Sequence, residues 1–255
     1  MSPYENPEIP IRPGACALTA EQKTRIAQFL DLAGDYLRDG YSRRRTVPTF
    51  TDEPPPREAA QALQPQADSL EALETEVLNC QGCALHTGRI KAVPGEGVAR
   101  PLVLVIGEGP GADEDASGRP FVGPAGQLLD RMLASVDLSR ERNCFIANVV
   151  KCRPPHNRDP LPEEIVACAP FLTRQLSLLK PRMILCLGRV AMQALLHTGE
   201  GIGRLRGKLS SYQGLPLLGT YHPSALLRDA SLKRPAWEDL KILRTQLAVL
   251  EQEES

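Results

Sequence analysis

The chain has 255 residues, 42% of them hydrophobic, and a formal net charge of −1. That length provides one good core plus an extension. The near-zero charge excludes a globally basic nucleic-acid binder, so any DNA contact must come from local basic clusters. Aromatic residues make up only 4%, with Trp237 the sole tryptophan, which argues against reading single strands by serial base stacking. No apolar run is long enough to span a membrane, and the start MSPYENPEIP lacks the charged and apolar regions of a signal peptide. A cytoplasmic monomer is the expectation. In that compartment seven cysteines point to metal ligation or buried packing rather than a disulfide framework.

Residues 1–67 read as an N-terminal extension. Ile26, Phe29, Leu30, Ala33 and Leu37 recur at helical spacing after Thr19, a candidate N-cap, and Gly40 ends the pattern. Arg43, Arg44 and Arg45 follow, then a Pro-rich polar linker. The helix is a candidate for docking on the main domain or on a protein partner. Residues 68–255 form the principal domain. A helix over Ser69–Leu78 precedes a strand over 102–107, a helix over Gly126–Val136 and a second strand over 144–150. A helix over Pro162–Leu179, with Pro162 in its first turn, leads to a third strand over 182–188. A helix over Arg189–His197, a fourth strand over 215–222 and an amphipathic helix over Trp237–Leu250 complete the chain. Apolar strands alternating with helices predict an α/β fold whose parallel sheet is covered on both faces. Ligands of such sheets bind beyond the carboxyl ends of the strands, so the segments after 107, 150, 188 and 221 share one functional edge.

Cys80 and Cys83 form a CxxC pair, and Cys152 and Cys168 lie downstream with fifteen residues between them. Four such thiolates can surround either a zinc ion or a [4Fe–4S] cluster, and spacing alone does not choose between the two. Cys144 and Cys186 fall inside apolar strands, where cysteine packs as a small hydrophobe; Cys16 sits in the extension.

Gly107-Glu108-Gly109-Pro110-Gly111-Ala112-Asp113-Glu114-Asp115 follows the first strand. Its glycines allow a sharp turn and close backbone approach to a ligand. No Gly-Lys-Ser/Thr follows, and four acidic residues disfavour a phosphate cradle. In Gly118–Gly126, Phe121 is either core or a stacking platform for a flat ligand. His222-Pro223-Ser224 follows the fourth strand on the ligand edge, and Ala225-Leu226-Leu227-Arg228 has the composition of an apolar wedge with a phosphate-binding cation. Either leucine can equally be core.

Taken in order, GEGPGADED, GRPFVGPAGQLL, NVVKCRPPHNRDP and HPSALLR resemble the family-four, iron–sulfur uracil-DNA glycosylases, over roughly two-thirds of the chain from Asn79 to Leu243. The resemblance implies a three-layer α/β/α fold with a central four-stranded parallel sheet. It implies a structural [4Fe–4S] cluster on Cys80, Cys83, Cys152 and Cys168, with zinc as the alternative. It implies base excision repair on uracil-containing DNA, single- or double-stranded. Phe121 would stack on the extruded uracil, Asn148 would bond its edge, and His222 would stabilise charge on its O2. Glu108 and Asn157 match catalytic positions; Gly109 and Glu114 line the base site. Gly109 stands where better-known members of the superfamily carry a water-activating aspartate, which leaves water activation open. By composition and charge rather than by the resemblance, Ser224, Leu226 and Arg228 are candidates to contact DNA, and Lys151, Arg153, Arg158 and Lys208 are candidate phosphate contacts, each of which can equally be a solvated surface charge. Two other readings compete: a relative that traps uracil-DNA covalently, with His156 as nucleophile, and a non-catalytic iron–sulfur sensor or interaction module. A family-five relative is disfavoured because Glu108 stands where that group tends to be apolar.

Overall fold

The computed structural model describes residues 68–252. The expected N-terminal helix, the arginine cluster, the linker and Cys16 lie outside the described residues.

Helix α1 (Leu70–Asn79) starts where Ser69 accepts the Ala72 N–H at 3.2 Å, and it buries Leu73 and Val77. Strand β1 (Glu96–Gly97) is followed by β2 (Val103–Gly107), then α2 (Ala112–Ser117), α3 (Pro124–Ala134) and β3 (Cys144–Asn148). Helix α4 (Pro162–Leu179) begins with a proline whose missing N–H costs nothing there, and Glu164 accepts the Leu161 N–H at 2.7 Å. Strand β4 (Met183–Leu187), α5 (Arg189–Leu196), α6 (Ile202–Leu205), β5 (Leu209–Tyr212), β6 (Leu215–Thr220), α7 (Pro223–Arg228) and α8 (Lys233–Gln252) complete the order.

Among the described residues the strands form one sheet in the order β1-β3-β2-β4-β6-β5. The four expected parallel strands are its centre, β3-β2-β4-β6. The sheet is larger than expected, because antiparallel β1 and β5 extend its two edges. Strand β5 pairs with β6 through a hairpin whose two turn residues, Gln213 and Gly214, both have positive φ, the conformation that matches strand twist. Successive residues of β2 face opposite layers. Leu104 and Ile106 pack with Val77, Leu172, Leu176 and Met192 from α1, α4 and α5. Val103 and Val105 pack with Leu129, Leu133, Leu240 and Leu243 from α3 and α8. Helices therefore cover both faces, which makes the three layers and explains why β2, β3 and β4 are buried throughout.

The chain leaves β2 towards β3 on one side and leaves β4 towards β6 on the other. The loops after these adjacent strands part, which opens a crevice at their carboxyl ends. One buried cluster fixes the far wall of that crevice. Asp239 of α8 accepts from the Thr220 hydroxyl at 2.7 Å and from Arg206 at 2.6 and 2.9 Å, and the Arg206 guanidinium lies 5.3 Å from the centre of the Tyr221 ring. Removing the fully buried Asp239 would leave Arg206 without its counter-charge and Thr220 without its acceptor. Asp239→Ala is expected to lower the unfolding free energy by about 3 kcal/mol, read as a fall in denaturant midpoint with an unchanged slope.

Candidate active site and cysteine cavity

The β2–β3 register places Gly107 beside Asn148. A Cβ on Gly107 would lie 2.4 Å from Asn148 Oδ1 and 2.5 Å from Phe121 Cζ, so three residues from three motifs meet with no space between them. Phe121 reaches that position with φ of +53°, a left-handed conformation unfavourable for an aromatic residue. Buried Arg140 holds it there by donating to the carbonyls of Pro120 and Phe121, each at 2.9 Å, while Asp130 neutralises it at 2.8 Å. Gly126 is required at the start of α3, because a Cβ there would lie 1.9 Å from the Phe121 carbonyl oxygen.

These residues open onto a cavity of about 460 Å³ lined by Glu108, Gly109, Glu114, Phe121, Asn148, Asn157, His222, Ser224 and Arg228. The structure thus brings together nearly all of the residues expected for catalysis, base binding and DNA contact. Leu226 is the exception. It is 2% exposed and packs in the core against α3 and α8, whereas Leu227 is 49% exposed on the outer face of α7. The expected contact of Leu226 with DNA is corrected accordingly: the apolar residue presented to solvent is the next one. Lys151 is likewise 1% exposed and cannot meet a phosphate. Arg158 is engaged by Glu164 at 2.7 and 2.8 Å. Asp159, Arg189, Tyr221 and Ile202 also line the cavity and were not anticipated. Tyr221 and Arg189 do follow directly from ending strands on the ligand edge, a signal that position alone carried.

Asn148 is 1% exposed, and its Oδ1 has no hydrogen-bond partner among the described residues. A buried acceptor left unmatched costs about 1–3 kcal/mol, so this one is available to a donor in the cavity, from water or from a ligand. His222 is neutral at physiological pH, because burial, assisted by Arg228, pushes its pKa down to about 4. The Ser224 N–H donates to His222 Nδ1 at 3.2 Å, which makes Nδ1 an acceptor and leaves the ring proton on Nε2. The ring lies 5.6 Å from that of Phe121. Glu108 moves the other way: burial, and then the neighbouring charge of Asp159, raise its pKa to about 7 against the pull of Arg189.

Glu114 lines the cavity with its carboxylate already engaged. Oε2 accepts the Gly111 N–H at 3.0 Å, and Oε1 accepts those of Val122 and Gly123 at 2.9 and 3.0 Å. It ties the loop after β2 to the loop carrying Phe121. A Cβ on Gly109 would lie 2.8 Å from Val150, which accounts for the absence of a larger side chain there. Asn157 has φ of +54°, and its Oδ1 accepts from Arg153 at 2.8 Å; His156 is exposed and does not line the cavity.

Cys80, Cys83, Cys152 and Cys168 line a second, separate cavity. Three of the sulfurs already accept hydrogen bonds, Cys80 from the Gly82 N–H at 3.3 Å, Cys152 from Arg89 at 3.1 Å and Cys168 from the Lys151 N–H at 3.3 Å. Such donors stabilise thiolates. Burial pushes the Cys168 thiol up to about 11, so an occupant of this cavity must carry the positive charge that displaces its proton. Among the described residues no three His, Cys, Asp or Glu side chains are arranged to hold a single metal ion. Cys144 and Cys186 are fully buried in β3 and β4, as expected for packing residues.

Gly107→Ala is expected to displace Phe121 or Asn148 and cut turnover by about 100-fold, the scale of a misplaced catalytic constellation, with α-helical content unchanged by circular dichroism.

The Uracil DNA glycosylase superfamily pattern matches residues 94–241. The chain is 45% identical over 181 residues to a type-4 uracil-DNA glycosylase of Pyrobaculum aerophilum, covering 67% of this chain and 91% of that protein. It is 41% identical over 176 residues to the Thermotoga maritima type-4 uracil-DNA glycosylase, covering 68% and 91%. Similarity to the type-5 enzyme of Thermus thermophilus is lower, 35% over 153 residues, with 52% and 69% covered. The chain belongs to the uracil DNA glycosylase superfamily, on its type-4 branch.

Proposed function

We propose that this protein hydrolyses the bond between uracil and deoxyribose in DNA, releasing uracil and leaving an abasic site for repair. The observation that carries this reading is the buried, unpartnered Oδ1 of Asn148 beside the Phe121 ring. Uracil offers a donor at N3 and an acceptor at O4, and a primary amide answers both. Cytosine presents an acceptor at N3 and a donor amino group in place of O4, so the same amide orientation meets it with two mismatches.

The base leaves the stack at a cost of a few kcal/mol and is held against Phe121. As the glycosidic bond breaks, negative charge develops on the uracil ring, and the Nε2–H of neutral His222 donates to O2. A neutral donor with no water to reorganise suits this task, and removing one such donor costs about 10²–10³ in rate. Glu108, raised to a pKa of about 7, orients the attacking water and stabilises the cation-like sugar as a carboxylate. Asn157 and the backbone of Gly109 complete the pocket, and Glu114 fixes its two loops. At the rim Ser224 and Arg228 meet the DNA, and exposed Leu227 takes the wedge role. Cys80, Cys83, Cys152 and Cys168 would hold a [4Fe–4S] cluster, which cross-links α1, the segment after β3 and α4 in place of a larger core. Four cysteine thiolates from three segments suit such a cluster, and zinc is the alternative occupant of the same set. Covalent trapping is the weaker reading because His156 lies outside the cavity.

An end-labelled oligonucleotide with one uracil, treated with protein and then alkali, should be cut at the uracil, with His222→Ala slower by about 10²–10³. A heat-stable shifted band would indicate trapping instead. Intact uracil with cluster-replete protein would leave the fold a binding or sensing role.

Because Glu108 acts as its carboxylate, the single-turnover rate should rise about tenfold per pH unit below pH 7 and level off above it. Glu108→Gln should be slow and lack this rise. His222, with a pKa near 4, should add no break above pH 5.

A further inference from the structure

Lys151 is 1% exposed, on the segment that joins Asn148 to Cys152. Its ammonium donates to the Asn148 carbonyl at 2.9 Å and to Gln175 Oε1 at 2.6 Å. Gln175 in turn donates to the Pro94 carbonyl at 2.8 Å. Both partners of the ammonium are neutral, and among the described residues no carboxylate pairs with it. A buried ammonium without a counter-charge is disfavoured, and it keeps its charge where an anion lies near. The four-cysteine cavity is the adjacent place for one: Lys151 is part of that cavity's wall, and its own N–H donates to Cys168 Sγ at 3.3 Å.

Resting on the glycosylase reading, we propose that Lys151 is a positioning residue that couples the two sites, its charge balancing the thiolate-ligated cluster while its hydrogen bond fixes the backbone of Asn148. The cluster site and the base site are therefore joined by one side chain. The same carbonyl that Lys151 holds belongs to the residue whose amide reads the base. A cluster with fewer negative charges, or none, would weaken the hold on the ammonium and slacken Asn148. Lys151 does not touch the base itself, so its effect falls on how well uracil binds rather than on bond cleavage once the base is seated.

The test compares full-length holoprotein with Lys151→Met, which keeps the length of the side chain and removes its charge and donors. Two quantities are read: the dissociation constant for free uracil by calorimetry, and the reduction potential of the cluster. The dissociation constant should rise about tenfold, and the potential should move to a more negative value, since loss of a nearby cation disfavours adding an electron. A residue that serves packing alone would lower thermal stability and move neither quantity. If Lys151→Met does not fold, Lys151→Gln is read the same way, because it too removes the charge and the ammonium's bond to the Asn148 carbonyl. Movement of both quantities supports the coupling. A change in one alone, or in neither, overturns it. Iron content and uracil excision by the unaltered protein are measured alongside; absence of excision would instead remove the underlying glycosylase reading, and absence of iron would overturn the coupling by removing its cluster.

Discussion

The pocket depends on a close approach of backbone to side chain at the end of β2. Gly107 sits in register with Asn148 and under the ring of Phe121, and the space a Cβ would take is already filled by those two side chains. Contact this close leaves a slot with an aromatic face on one side and an amide at the edge, the shape that the proposed flat base would fill. The surrounding structure works to keep it. Arg140 holds the strained backbone of Phe121, Gly126 lets α3 begin against it, and Glu114 spans the two loops with one carboxylate. Strain of this kind, about 1–3 kcal/mol at one residue, persists only where neighbours over-determine it.

The electrostatics of the site follow from the same exclusion of water. Burial drives His222 towards its neutral form and Glu108 towards its protonated form, so each titrates far from its ordinary range. On the proposed reading the pair is thereby divided between a neutral donor for the leaving base and a weak carboxylate for the incoming water. Asp159 and Arg189, an ion pair at the rim, act on Glu108 with opposite signs. Just after β3, buried Lys151 bonds the Asn148 carbonyl and lines the cysteine cavity. On the proposed reading a single stretch, Asn148 to Cys152, carries base reading at one end and cluster ligation at the other.

Much of this was legible in the amino-acid sequence. The four central strands are apolar throughout because both faces are covered, and α4 begins at Pro162 and ends at Leu179 as its periodicity and first-turn proline indicate. The edge strands were missed for physical reasons. Strand β1 is two residues long, and β5 alternates exposed and half-buried positions with only a Gln-Gly turn to announce it. Motif order brought the expected pocket residues to one cavity, but did not say which side of a short helix faces the core. In α7 a rotation of one residue decides between Leu226 and Leu227, and six residues are too few for periodicity to fix that phase. The buried cations Arg140 and Lys151 were unreadable as such, since lysine and arginine are exposed by default and only tertiary partners reveal the exceptions.

The central claim is that the Asn148 amide selects the base. It is tested most directly by single-turnover excision from two matched oligonucleotides, one carrying uracil and one cytosine, by the unaltered protein and by Asn148→Ala. The account predicts excision of uracil alone by the unaltered protein, and a loss of about 100-fold or more for uracil in the variant. Uracil excision at an undiminished rate by Asn148→Ala would contradict it.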